Sequence, residues 1–235
     1  MNKQQKNTLI TYSTFLSETK QFFEDLNEGM QIDNHKQHNI EPNYRNILLK
    51  EIIENPKYWE NKIALDFGCG CGRNIKNLLN FADFKRVDGC DISRKNIEYT
   101  KKYINEFFDD SKCNTWEVDG ATFNSCKDNT YDFIMSHQVF QHIANYEVRY
   151  SILSDMYRVL KSGGIISIHF LNIDEYVDYY QNYNTATKHT MCNVRVDNPN
   201  NVVSDLKKIG FKDITFIESQ NYYGNRQEYY FKGKK

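Results

Sequence analysis

The sequence predicts an α/β fold built on a doubly wound, mostly parallel seven-stranded sheet, with a C-terminal antiparallel hairpin strand and helices at the N-terminus. Three observations carry that prediction. Short apolar runs alternate with amphipathic stretches from Lys62 onward. A glycine-rich loop, Gly68-Cys69-Gly70-Cys71-Gly72, directly follows the first of these runs. The later run Ile165 to Phe170 reads as a central parallel strand covered on both faces.

Taken in order, two amphipathic helices come first. Phe15, Phe22, Phe23 and Leu26 share one helical face, and Gly29 stops that helix. A second opens at Glu41-Pro42, buries Tyr44, Ile47, Leu48 and Ile52, and ends at Asn55-Pro56. The first strand is Ile63 to Phe67, and Ile75, Leu78 and Leu79 mark the helix after the glycine loop. Val87 to Asp91 is the second strand. Ser93 caps the next helix, which keeps Ile97, Thr100, Ile104 and Phe108 on one side.

Trp116 to Asp119 and Tyr131 to Ser136 are the third and fourth strands. The helix carrying Val148, Ile152, Met156 and Val159 stops at Ser162-Gly163-Gly164, before the strand from Ile165. Val202, Val203, Leu206 and Ile209 mark a last helix closed by Gly210. The strands Ile214 to Glu218 and Glu228 to Lys232 form a hairpin about Gly224-Asn225. The expected organisation is one domain over 1–235: a helical cap (1–60), a ligand-binding core (61–170), an insertion on the acceptor side (171–199), then the last helix and hairpin (200–235). Such alternation puts ligands at the carboxyl ends of the strands.

Composition narrows the class. The 235 residues are 40% hydrophobic and 26% charged, as in globular proteins. Lys and Arg number 30 against 31 Asp and Glu, and no basic stripe is present, which argues against extended nucleic-acid contact. No apolar stretch is long enough for a membrane span, the first residues lack the apolar region of a signal peptide, and the six cysteines form no CxxC pair. A cytoplasmic protein with reduced thiols and no metal site is expected.

The glycine loop chooses the cofactor. In the frame starting at Gly68 the third glycine of a dinucleotide fingerprint is Arg73, and in the frame from Gly70 it is Ile75. Asp66 would also bring a carboxylate towards a pyrophosphate, which is electrostatically unfavourable. A ligand carrying a sulfonium and an ammonium, with no phosphate, removes the conflict. S-adenosylmethionine is such a ligand.

The run Asp66-Phe67-Gly68-Cys69-Gly70-Cys71-Gly72 resembles the first motif of the class I S-adenosylmethionine-dependent methyltransferases, in their small-molecule branch. Asp91, in Asp88-Gly89-Cys90-Asp91-Ile92-Ser93, resembles the acid that accepts hydrogen bonds from both ribose hydroxyls, with Ile92 beside it. Asp119-Gly120 resembles the adenine-amino position. Val159-Leu160-Lys161-Ser162-Gly163-Gly164-Ile165 resembles the segment before the fifth strand, with Ser162 in place of the usual Pro. The resemblance spans roughly Lys62 to Phe170. It implies S-adenosylmethionine as donor, S-adenosylhomocysteine as product, and a donor site of Asp66, Gly68, Gly70, Gly72, Asp91, Ile92, Asp119, Gly120, Ser136 and His137.

The segment Ser136-His137-Gln138-Val139-Phe140-Gln141-His142-Ile143 resembles the place where such enzymes bring donor and acceptor together. His142, then His137, are the expected acceptor-side catalytic groups, since a hydroxyl acceptor needs help in losing its proton. His142 also reads as a packed residue orienting its loop, and His169 as a satisfied residue of the strand. His35 and His38 would reach over the site if the loop between the first two helices acts as a lid; the other reading is a solvated loop. Tyr44 and Arg45 are candidates for the methionyl end of the donor. Specificity is expected from the N-terminal helices and from Leu171 to Asp197, with Tyr176, Tyr179, Tyr180 and Tyr183.

The N/D-P-P-Y/F segment associated with amide or adenine nitrogen acceptors is missing after the fourth strand. The expected reaction is in-line methyl transfer to a hydroxyl of a small molecule: a sugar, polysaccharide precursor or secondary metabolite. The alternatives are an RNA or protein methyltransferase of the same fold and a non-catalytic S-adenosylmethionine-binding module. The atom methylated and the oligomeric state stay open.

Overall fold

A computed structural model describes residues 17, 19–24, 43–123, 126–172, 177–180, 194–220 and 226–235. Phe15, Leu26, Gly29, His35, His38, the start at Glu41-Pro42, Tyr176, Tyr183 and the Gly224-Asn225 turn lie outside these residues.

Residues 19–24 are helical. The expected second helix is broken into shorter pieces: a wide turn at Tyr44–Leu48, helix α1 at Lys50–Glu54, and a tight turn at Pro56–Trp59. Pro56 cannot continue the helix ladder, so α1 ends before it. Tyr44, Leu48, Leu49, Ile52 and Trp59 are all buried.

The sheet follows: β1 (Ile63–Phe67), β2 (Arg86–Asp91), β3 (Thr115–Glu117), β4 (Tyr131–Ser136), β5 (Leu160–Leu171), β8 (Lys212–Gln220) and β9 (Gln227–Lys234). A separate two-stranded pair joins β6 (Val177–Asp178) to β7 (Val194–Arg195). The strand order is β3-β2-β1-β4-β5-β9-β8, with every pair from β3 to β5 parallel and β9 antiparallel to both neighbours. The chain therefore winds outward from β1 through β2 and β3, then returns to β4 on the other side. That reversal makes the carboxyl ends of β1 and β4 the topological switch point.

Helices cover both faces. Leu65 and Phe67 of β1 point into a cluster with Ile152, Met156 and Leu206, from α4 (Tyr146–Val159) and α5 (Asn200–Ile209). Ala64 points the other way, towards Leu48, Ile52, Ile75 and Ile104, from the N-terminal pieces, α2 (Arg73–Phe81) and α3 (Arg94–Asn105). The period-2 alternation of a strand sends consecutive residues to opposite layers. Ser93 caps α3 as expected, accepting from Asn96 N at 3.2 Å.

Several strand ends shift by one or two residues from the sequence reading, β3 spanning Thr115–Glu117 rather than Trp116 to Asp119, and the larger difference follows α4. α4 stops at Val159, and Leu160 already lies in β5, paired with Tyr131. Leu160 is fully buried, so Ser162-Gly163-Gly164 forms an irregular stretch inside the strand rather than the end of the helix. Gly163 has φ 77°, and the register resumes at Ile165 opposite Phe133.

The amino end of the sheet is fastened by two carboxylates. Asp132 Oδ2 accepts from Ile63 N at 2.9 Å and from Lys161 Nζ at 2.7 Å, joining the starts of β1, β4 and β5. Asp88 accepts from Arg86 through both oxygens (2.6 and 3.0 Å), from Asn114 N at 3.1 Å and from Tyr131 Oη at 3.1 Å. Among the described residues no helix is long and apolar enough to cross a membrane.

Candidate functional site

The loop leaving β1 must turn sharply into α2, and its glycines take conformations side chains resist. Gly68, Gly70 and Gly72 have φ of 72°, 51° and 86°. Gly68 N and Cys69 N both donate to Cys90 O, at 2.8 and 3.0 Å, which ties the loop to β2. Thr100 Oγ1 donates to Gly70 O at 2.6 Å. A Cβ on Gly70 would meet nothing within 4 Å, so open space lies above it. A Cβ on Gly72 would lie 2.9 Å from Thr100 Cγ2.

Asp66, just before the loop, is fully buried. Its Oδ1 accepts from Asn74 Nδ2 at 3.3 Å, while Oδ2 has no partner among the described residues. Burial pushes its pKa up to about 7, against the hydrogen bond from Asn74 and the nearby Arg73 charge, both of which lower it. A buried carboxylate oxygen without a donor is costly, and a ligand N–H or cation would satisfy it.

Asp91 closes β2 and works on the same loop. Its Oδ2 accepts from Gly70 N at 2.9 Å; its Oδ1 accepts from Ser93 N at 2.9 Å and Asn96 Nδ2 at 3.2 Å. Burial raises its pKa, opposed by those bonds. The expected ribose acid thus fixes the glycine loop, with carboxylate lone pairs left over. Ile92 beside it is half-buried. Asp119 is exposed and caps its own turn, accepting from Ala121 N and Thr122 N, both at 2.8 Å. Gly120 follows with φ 82°.

Ser136, at the end of β4, donates to Phe67 O at 3.0 Å, so its hydroxyl joins β4 to β1 at the switch point. His137 is buried, and Arg73 Nη2 lies 2.9 Å from its Nδ1. A guanidinium can only donate, so Nδ1 is the accepting nitrogen. The His137 ring packs 5.0 Å from Tyr44 and 4.8 Å from His169. Tyr44 Oη in turn donates to Asn74 Oδ1 at 2.8 Å, which joins Tyr44, Asn74 and Asp66 in one buried network.

His142 is half-buried, yet its Nδ1 is sealed from solvent and has no partner among the described residues. Burial lowers its pKa to about 4, so the ring is neutral near pH 7. Phe23 packs edge-on against it at 5.7 Å. The same helical turn reaches the opposite rim: Lys20 pairs with Glu117 at the end of β3, and Glu24 Oε1 accepts from Arg94 N at 2.6 Å. Residues 19–24 therefore bridge the carboxyl ends of the strands.

In the insertion after β5, Tyr179 is buried and Tyr180 exposed. Arg149 of α4 donates to Ile143 O and Tyr179 O, and Tyr179 Oη donates to Asp205 Oδ2 at 3.1 Å. This joins the loop after β4 to the insertion. Arg45 lies elsewhere, exposed with its guanidinium 5.3 Å from the Phe81 ring centroid. Arg73 and Asn74 are the residues sequence reasoning missed. Arg73 had served only as the place where a dinucleotide fingerprint fails, although its position directly behind the glycines was the available signal.

Residues 65–168 match the family model described as a methyltransferase domain. An uncharacterized protein of Rickettsia prowazekii is 30% identical over 131 residues, 55% of this chain and 50% of its own length. The chain thus spans about half the length of that relative. Phosphoethanolamine N-methyltransferase 2 of Haemonchus contortus, solved with phosphomonomethylethanolamine and S-adenosylhomocysteine, superposes with a TM-score of 0.60 at 15% identity, covering 79% of this chain and 52% of that one. An S-adenosylmethionine-dependent methyltransferase of Methanosarcina mazei gives 0.60 at 17% identity, covering 78% and 96%. At these identities the two structures establish a shared fold.

Proposed function

We propose that residues 65–168, which match a methyltransferase domain, form a class I, S-adenosylmethionine-dependent methyltransferase, and that the chain methylates a hydroxyl of a small molecule such as a sugar, polysaccharide precursor or secondary metabolite. The observation that carries the reading is Asp66: a buried carboxylate with one oxygen unpartnered among the described residues, at the switch point beside three left-handed glycines. That site suits a ligand bringing positive charge and N–H donors, and repels a diphosphate.

When bound, S-adenosylmethionine supplies an electrophilic methyl group on a sulfonium. Everything else falls to the chain. Asp66 Oδ2 would take the ammonium of the methionyl end, and Asp91 the ribose hydroxyls, with Gly68, Gly70, Ile92, Asp119 and Gly120 around the adenosine. Ser136 and the Arg73–His137 pair would hold the loop after β4 against the donor. His142 Nδ1, neutral and without a partner among the described residues, would accept a hydrogen bond from the acceptor hydroxyl and orient it for in-line attack. A ring of such low basicity supplies alignment more than proton abstraction, which fits a reaction whose electrophile is already strong. Residues 19–24 would exclude water from above.

Calorimetric titration with S-adenosylhomocysteine and with NAD tests the donor site, and NAD binding alone would end the reading. A methyl-release assay over an acceptor panel tests the rest. Transfer to a small hydroxyl compound, reduced at least about 10-fold in His142→Ala, is the expected result. Transfer to RNA or protein and to no small molecule would replace the acceptor class.

A further inference from the structure

Glu228 and His169 sit on adjacent antiparallel strands, both fully or almost fully buried. Neither has a part in the methyl transfer proposed for the chain. Glu228 Oε1 accepts from Asn43 Nδ2 at 2.9 Å and Tyr230 Oη at 2.8 Å, and its Oε2 lies 3.3 Å from His169 Nε2. Burial pushes this carboxyl up, but the bonds from His169, Asn43 and Tyr230 outweigh it, and the net shift is downward.

The other imidazole nitrogen faces the site. His169 Nδ1 lies 3.2 Å from the backbone N of Gln138. An amide N–H only donates, so Nδ1 carries the lone pair and the ring proton sits on Nε2, pointing at Glu228. The tautomer is set from β9 and used in the loop after β4.

That loop needs holding. Gln138 has φ 59°; the other described non-glycine residues with positive φ are Asn61, Asn129 and Asp213, types that tolerate the left-handed region. Gln138 has no such chemistry. It also stands between His137, which accepts from Arg73, and Val139, which packs over Gly68. Rotation of its peptide would displace both.

We propose that Glu228 and His169 are positioning residues for methyl transfer: through the Gln138 amide they hold the loop after β4 in the shape that closes on the donor loop. This rests on the methyltransferase reading. Two substitutions separate hydrogen bonding from bulk. In His169→Asn, Oδ1 stands near the place of Nδ1 and can still accept from Gln138; in His169→Phe, nothing can.

The test combines amide exchange at Gln138, imidazole nitrogen shifts of His169 and titration with S-adenosylhomocysteine, on the full chain. The wild type should show the Nε2–H tautomer. His169→Asn should keep Gln138 protected and bind within about 3-fold of wild type, whereas His169→Phe should lose about 10-fold or more in both. If the Phe variant fails to fold, Glu228→Gln gives the second reading, with Nδ1–H appearing in the nitrogen spectrum and affinity falling about 3-fold or more. An Nδ1–H tautomer in the wild type, or equal behaviour of the Asn and Phe variants, overturns the proposal. Absence of homocysteine-compound binding in the wild type overturns the methyltransferase reading instead, and the Gln138 exchange comparison then decides the positioning role on its own.

Discussion

Val139 occupies the space that a side chain on Gly68 would need: a Cβ built there would lie 2.3 Å from Val139 Cγ2. The loop after β4 and the loop after β1 are therefore fitted to one another at the switch point. Gly68→Ala meets this contact and a φ of 72° together. A loss of roughly 2–4 kcal/mol is expected from left-handed strain plus overpacking. Thermal unfolding would show it, and Val139→Ala in the same chain should recover part of it. No recovery would mean that the two loops are not coupled.

Asp91→Ala leaves three donors, Gly70 N, Ser93 N and Asn96 Nδ2, without their acceptor. The glycine loop should loosen, and the ribose contact proposed for Asp91 should be lost with it. Affinity for S-adenosylhomocysteine should drop at least about 10-fold, with about 1–3 kcal/mol of stability. Titration and chemical denaturation give the two numbers. Unchanged affinity would show that the ribose binds elsewhere.

Asp66 makes stability depend on pH with a definite sign. Its pKa of about 7 in the folded chain lies above the ordinary value of 3.8, so folding tightens its hold on the proton. Between those values the unfolded chain releases a proton the folded chain keeps, and stability falls as pH rises through the window, levelling off above about 7. His142 acts oppositely: with a folded pKa of about 4 against 6.5, it adds stability as pH rises between them. Comparison of wild type with Asp66→Asn at each pH isolates the aspartate, and the difference should reach a few kcal/mol. Donor-site ligands should bind more tightly as pH rises through 7 and release a proton on binding below it, measurable by calorimetry in buffers of different ionisation heat.

Arg149 is fully buried and donates to two backbone carbonyls, Ile143 O and Tyr179 O, while burial lowers its pKa to about 10. Arg149→Met strands both carbonyls and should cost about 2–4 kcal/mol. If these carbonyls border the acceptor, as the proposed function has it, KM for the acceptor should rise while donor affinity stays within about 3-fold. A loss confined to donor binding would contradict this division.

The sequence was readable where chemistry is local. Alternating apolar periods, the glycine loop and the Ser93 cap each depend on residues within a few positions of one another, and each appears in the structure. The strand beginning at Leu160 was not readable. Its burial depends on pairing with Tyr131, while Ser162-Gly163-Gly164 looks locally like a helix stop. The polar network was hidden for the same reason. Tyr44 meets Asn74, Arg73 meets His137, and His169 meets Glu228 only after the sheet has assembled, across separations of 30, 64 and 59 residues. Composition and spacing carry no trace of such meetings.

Asp132 and Asp88 clamp the amino end of the sheet, and the loops of the site all emerge from the opposite end. Such a sheet behaves like a fan gripped at its handle. Loop exchange or mutation at the open rim should leave that grip intact, so the rim can change at little thermodynamic risk. Alterations at the two aspartates should instead loosen the five parallel ribs, β1 to β5, together.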